Sequence, residues 1–202
     1  ADGWPFPIPL VRENGSWRFD VEAGREELAN RRVGRNELMT IATLHECVDA
    51  QQEYRSAGRD GHPPAYARAL ISSAGKHDGL YWPAAAGEPE SPLGPLIAAA
   101  TAEGYTRGES PTPFHGYLFR TLSGQGPGAP GGAKSYVDER GLLVHGFALL
   151  AWPAKHGSSG VMTFQVDHHG LVYQKDLGRD TATIAARLTT FAPDESWDPT
   201  GD

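Results

Sequence analysis

The chain has 202 residues, of which 25 are glycine and 16 proline, about a fifth of the whole. That share exceeds the roughly 12% usual for globular chains but stops short of the roughly 25–30% that marks disorder, and five Trp with seven Phe supply the bulk a core needs. A net charge of −7 argues against a nucleic-acid surface, which requires a basic stripe to displace counterions. The longest apolar runs, 96–100 and 147–152, fall far below the roughly 18 residues that span a bilayer, so no transmembrane segment is expected. The single cysteine, Cys47, excludes an intrachain disulfide and a thiolate zinc cluster. The chain opens at Ala1 without an initiator methionine, which leaves removal of an export signal and simple trimming as alternative expectations.

In chain order, residues 1–20 read as a lead-in hairpin. Two short runs flank Asn14-Gly15, a dipeptide that tolerates the positive φ both turn positions need, with Trp17 and Phe19 on one face of the second strand. Residues 21–56 read as helical, with Asp20 as N-cap and acidic residues in the first turns. Gly34 is expected to interrupt this region and Asn36-Glu37 to restart it, with Leu38, Ile41, Leu44 and Val48 forming the apolar face of the second helix. Residues 57–112 read as a loop-rich insertion with a helical turn at 66–70 and a short helix around 96–100. Residues 113–178 read as an antiparallel meander whose strands lie near 115–122, 147–152, 161–166 and 171–175. The Gly/Pro-rich stretch 124–132 reads as a surface loop, and 179–202 as a helix capped by Asp180, with Ile184 and Leu188 inward, followed by a tail. Helices first and strands later predict a single α+β domain with helices on one face of the meander.

No catalytic, cofactor or metal signature stands out. There is no Gly-x-Ser-x-Gly elbow, and Gly124-Gln-Gly-Pro-Gly128 lacks the Lys-Ser/Thr of a phosphate loop. Cys47 lies in the second half of its helix, away from the positive end that would activate it, and reads as a small core residue. Asp60-Gly61-His62 offers too few oxygens for calcium. His168-His169 would point to opposite faces if they lay on a strand and could share an ion only through turn geometry; otherwise they form a polar turn. Seven residues stand as candidate interaction or ligand positions: His77, Asp78, Tyr81, Trp82, Asp167, His168 and His169. Asp78 with His77 would suit a hydrolase, and Tyr81 with Trp82 a carbohydrate-binding surface, while packing of both rings across the core edge is the plain alternative.

Several stretches resemble a bacterial family known as domain of unknown function 2950: Gly3-Trp4-Pro5-Phe6-Pro7-Ile8-Pro9-Leu10-Val11, Asn30-Arg31-Arg32-Val33-Gly34-Arg35-Asn36-Glu37-Leu38, Val48-Asp49-Ala50-Gln51-Gln52-Glu53-Tyr54, Asp78-Gly79-Leu80-Tyr81-Trp82-Pro83, Gly160-Val161-Met162-Thr163-Phe164 and Tyr173-Gln174-Lys175-Asp176-Leu177-Gly178. The resemblance covers essentially the whole chain. It implies an exported protein preceded by a signal and an upstream segment, and carries no catalytic residues. The succession of a long helix ending at Tyr54, a strand at His115-Gly116-Tyr117-Leu118-Phe119, the stretch from Ala151 to Phe164 and the turn Asp167-His168-His169-Gly170 is similar to the headgroup order of type IV pilins and type II secretion pseudopilins. The apolar N-terminal helix of a pilin has no counterpart in these residues. The resulting expectation is a periplasmic or extracellular, non-enzymatic, pilin-like structural or interaction domain without cofactor. Its partner would be a protein or further copies of the chain in an oligomer or filament, with a carboxylate/His hydrolase and a carbohydrate-binding module as alternatives.

Overall fold

The structure, a computed structural model, describes residues 5–58, 63–84, 87–102 and 112–201. The hairpin sits where Asn14-Gly15 places it: β1 (Leu10–Glu13) and β2 (Ser16–Phe19) pair antiparallel across a turn with φ of 51° and 80° at those two residues. Asp20 then caps α1 (Val21–Ala57), its carboxylate accepting from the Ala23 backbone N–H at 3.2 Å.

Helix α1 is one element of 37 residues, and the break expected at Gly34 does not occur. A lone glycine inside a helix costs only about 1 kcal/mol against alanine, too little to stop a helix flanked by good formers. Asn36 and Glu37, expected to cap a second helix, direct their side chains across the fold instead. Asn36 Nδ2 donates to the Ser159 carbonyl at 2.8 Å, and the Glu37 carboxylate accepts from the backbone N–H groups of Val161 and Met162 at 2.8 and 3.0 Å. The buried stripe is also rotated from the expected one. Thr40, Thr43, Leu44, Cys47, Ala50 and Gln51 are buried, Ile41 and Val48 pack at the margin, and Leu38 is 70% exposed. The two threonines bond back to the carbonyls of Asn36 and Met39, which satisfies their hydroxyls and lets polar residues occupy core positions.

After α1, β3 (Ala69–Ile71) and β4 (Gly79–Tyr81) pair in parallel, so a strand begins where the helical turn of 66–70 was expected. The fully buried Gln51 holds this segment to α1: its side chain accepts from the Ala67 N–H at 2.8 Å and donates to the Ala67 carbonyl at 2.9 Å, a rung of the kind a neighbouring strand would supply. The expected short helix is α2 (Gly94–Ala102). The calcium-like stretch Asp60-Gly61-His62 lies outside the described residues.

From β5 (Tyr117–Leu122) the chain makes a small antiparallel pair, β6 (Gly124–Gln125) with β7 (Lys134–Ser135), then returns as β8 (Ala148–Pro153), β9 (Met162–Asp167) and β10 (Val172–Asp176). A final strand, β11 (Asp198–Pro199), completes a five-stranded antiparallel sheet in the order β11-β10-β9-β8-β5. The stretch 124–132 is not the surface loop its composition suggests, since Gly124, Gln125, Gly126 and Ala129 are buried. Gln125 donates to the carbonyls of Pro130 and Gly132 at 2.9 and 2.6 Å and accepts from the Tyr136 hydroxyl at 3.0 Å. A Cβ on Gly126 would meet that of Ala192 at 3.0 Å, so the lack of a side chain permits the close approach.

The last helix, α3 (Thr181–Arg187), is shorter than expected. It follows a 3-10 turn at Gly178–Asp180, the Asp180 side chain makes no capping bond, and Thr181 and Ala185 rather than Ile184 face inward. Tyr117 of β5 lies beside Glu37 of α1, whereas Arg120 of the same strand donates to the carbonyls of Ala185 in α3 and of Leu188 just after it, each at 2.6 Å. Residues three apart on a strand point to opposite faces, so α1 and α3 cover opposite sides of the sheet rather than one side together. This accounts for the burial of β8 and β9 along nearly their whole length.

Candidate functional site

The turn joining β9 to β10 is built from Asp167, His168, His169 and Gly170. The Gly170 N–H donates to the Asp167 carbonyl at 2.9 Å, and Gly170 adopts a φ of 88°, so Asp and Gly occupy the first and fourth places, where β-turns favour them. The His168 N–H donates to the Phe147 carbonyl at 3.1 Å, which pins the turn to the residue preceding β8. Because the two histidines lie in a turn, their rings stack rather than diverge, with centroids 4.1 Å apart.

Asp167 sits at the end of β9 with its carboxylate mostly buried. One oxygen accepts from the His169 backbone N–H at 3.0 Å; the other, Oδ2, lies 2.8 Å from His169 Nδ1 and 3.8 Å from His168 Nδ1. The His168 ring meets Tyr136 edge-on at 5.6 Å and lies 6.4 Å from Phe147. On its remaining side is Gly146, where a Cβ would come within 2.8 Å of His168 Nδ1. That ring nitrogen is buried and without a hydrogen-bond partner. Burial holds the His168 pKa below its usual value, opposed by the Asp167 charge, so the imidazole is neutral at neutral pH. Among the described residues, this is the one place where three His, Cys, Asp or Glu side chains bring donor atoms within 4.8 Å of one another.

The other four candidate residues do not form a comparable site. Asp78 is bound to its own turn, accepting from the Ser73 N–H at 2.7 Å and the Ser73 hydroxyl at 2.9 Å, and the backbone donor holds its carboxyl below the usual range. His77 stacks on Trp82 with centroids 4.4 Å apart, Trp82 is buried, and Tyr81 packs at the core margin, so Trp82 offers no open face to a sugar. Cys47 is buried, and its thiol is pushed up to about 12 by that burial, with the Glu46 charge adding to it.

A second surface was missing from the sequence-derived candidates. The hairpin and the first turns of α1 form an arm with Phe6 68%, Trp17 67%, Phe19 51% and Leu28 51% exposed, together with Leu10 and Val21. Residues 5–9 lie along the start of α1: the Pro5 carbonyl accepts from Arg31 at 2.8 Å, Ile8 packs on Gly24, and the Phe6 ring lies 5.7 Å from that of Phe19. The available signal was structural economy. A two-stranded hairpin that precedes helical turns rich in charge has no second layer on which to bury a Trp and a Phe.

Among the described residues, one long helix, two short ones and sheets that are antiparallel apart from the β3–β4 pair define a mixed α+β protein. The chain belongs to the family described as protein of unknown function (DUF2950), whose model matches residues 1–200. No match was found among curated proteins or among solved structures. No helix among the described residues is long and apolar enough to cross a membrane.

Proposed function

We propose that this protein is a non-enzymatic, pilin-like interaction domain of the cell envelope or extracellular space that associates with further copies of itself through the apolar side of its N-terminal arm. The observation that carries the reading is the exposure of Phe6, Trp17, Phe19 and Leu28 on one arm, a concentration of large apolar side chains that an isolated chain in water does not favour. Charge placement favours a second copy as the occupant. Glu22, Glu26 and Glu27 outnumber Arg25 near the start of α1, Arg25 pairing with Glu22, and Arg31, Arg32 and Arg35 follow two to three turns later, so two arms packed antiparallel set each net acidic end against a net basic one. The pilin-like part of the reading is supported by the order of elements, a long helix followed by the antiparallel strands β5, β8, β9 and β10, with a polar turn closing the last hairpin. The placement outside the cytoplasm follows the resemblance to exported proteins.

Sedimentation velocity over a range of concentrations tests the proposal. The native chain is expected to self-associate as concentration rises and Trp17→Glu to remain monomeric. A native chain that stays monomeric throughout and retains nothing from an envelope extract would overturn it.

A further inference from the structure

We infer that Asp167, His168 and His169 form a binding site for a divalent transition-metal ion, zinc above all. Bonds of roughly 2.0–2.2 Å in a tetrahedral arrangement set donor atoms roughly 3.3–3.6 Å apart. The two separations from Asp167 Oδ2, 2.8 Å to His169 Nδ1 and 3.8 Å to His168 Nδ1, bracket that spacing. With all three donors within 4.8 Å of one another, small ring movements bring them to one ion.

The 3.8 Å separation is too long for a hydrogen bond, and His168 Nδ1 is buried without another partner. A ring nitrogen left in this way ordinarily costs stability. Here it is aimed at a carboxylate across the distance an ion would bridge. The surroundings hold the ring in that orientation: Tyr136 and Phe147 flank it, and Gly146, with a φ of 147°, leaves the space that any side chain would take. The Asp167 carboxylate is oriented in turn by the His169 N–H. In the metal-free arrangement a hydrogen lies between His169 Nδ1 and Oδ2; on binding, His169 carries its proton on Nε2 of an exposed ring and Nδ1 becomes a donor. Two imidazoles and one carboxylate suit Zn²⁺, Cu²⁺ or Ni²⁺ far better than Mg²⁺ or Ca²⁺, and leave a fourth position for water.

The experiment is titration of the full, chelator-stripped chain with ZnCl2 in a calorimeter, paralleled by Co²⁺ followed through its visible absorption. One equivalent of Zn²⁺ is expected, with the intense Co²⁺ bands of a four-coordinate site. Since losing an outer partner of a metal ligand alone weakens binding roughly 10–100-fold, His169→Gln and His168→Gln are each expected to weaken it by at least that much. His45→Ala, an exposed histidine on α1, should leave it unchanged. His169 is 70% exposed, so its substitution leaves the fold intact, as circular dichroism would verify. Gly146→Ala should also weaken binding by displacing the His168 ring. Absence of a saturable single equivalent, or Zn²⁺ uptake unaltered in both glutamine variants, would overturn the inference.

Discussion

At the scale of single residues, the fold uses polar side chains where the sequence suggested local roles. Asn36 and Glu37 have the composition of a helix start, and only their partners at Ser159, Val161 and Met162 reveal a bond between distant segments. No local pattern encodes that choice, because a side chain that can cap its own helix can equally cap a neighbouring backbone. Cys47 was legible, since its place in the second half of a helix already argued against activation, and the structure buries it. Its thiol, raised to about 12, implies almost no thiolate in the folded protein at pH 8. A thiol reagent such as dithionitrobenzoate should therefore leave the native chain unmodified for as long as it stays folded and should titrate one thiol promptly in urea. Prompt native reactivity would show that the helix does not bury this face.

At the scale of elements, the meander strands were readable because β5 and β9 place apolar residues at alternate positions, β8 is a short continuous apolar run and the β9–β10 hairpin closes in turn chemistry. The pair β3 and β4 was not, for two physical reasons. Each strand is three residues long, and parallel pairing across so short a connection departs from the crossover of a dozen or more residues that parallel strands usually need. The phase of α1 was misread because Thr40, Thr43 and Gln51, polar by letter, are buried by virtue of their bonds. Two substitutions on this helix should move stability in opposite directions in urea titrations. Gly34→Ala, with nothing within 4 Å of the added methyl, should raise it by about 0.5–1 kcal/mol if α1 is continuous. Gln51→Leu, which leaves the buried N–H and carbonyl of Ala67 unpaired, should lower it by about 2–4 kcal/mol.

At the scale of the whole molecule, several surface turns are tied by aspartates whose pKa values lie below the usual range. Backbone N–H groups are the leading cause at Asp78, Asp138 and Asp176, and the Ser196 hydroxyl at Asp194. A carboxyl whose folded pKa is depressed adds stability above its unfolded value, near 3.9, and loses it as pH falls toward the folded value. The melting temperature should therefore begin to fall below about pH 6.5, where protonation of the unfolded chain's histidine competes with the buried neutral His168, and decline further below about pH 4 as these carboxyls titrate. Asp138→Asn should make the acid decline shallower, whereas an unchanged slope would mean that these turns are not coupled to global unfolding.

Helix α1 is roughly 55 Å long at 1.5 Å per residue, and it meets the sheet through Asn36 and Glu37, close to its midpoint. With no break at Gly34, it is a stiff strut clamped halfway along. A force applied to the free hairpin is not absorbed by a joint but passes as torque to the start of β9, a central strand. In an assembly held by the arm, mechanical load would be borne by these three hydrogen bonds, the buried stripe from Thr40 to Gln51 and the middle of the sheet.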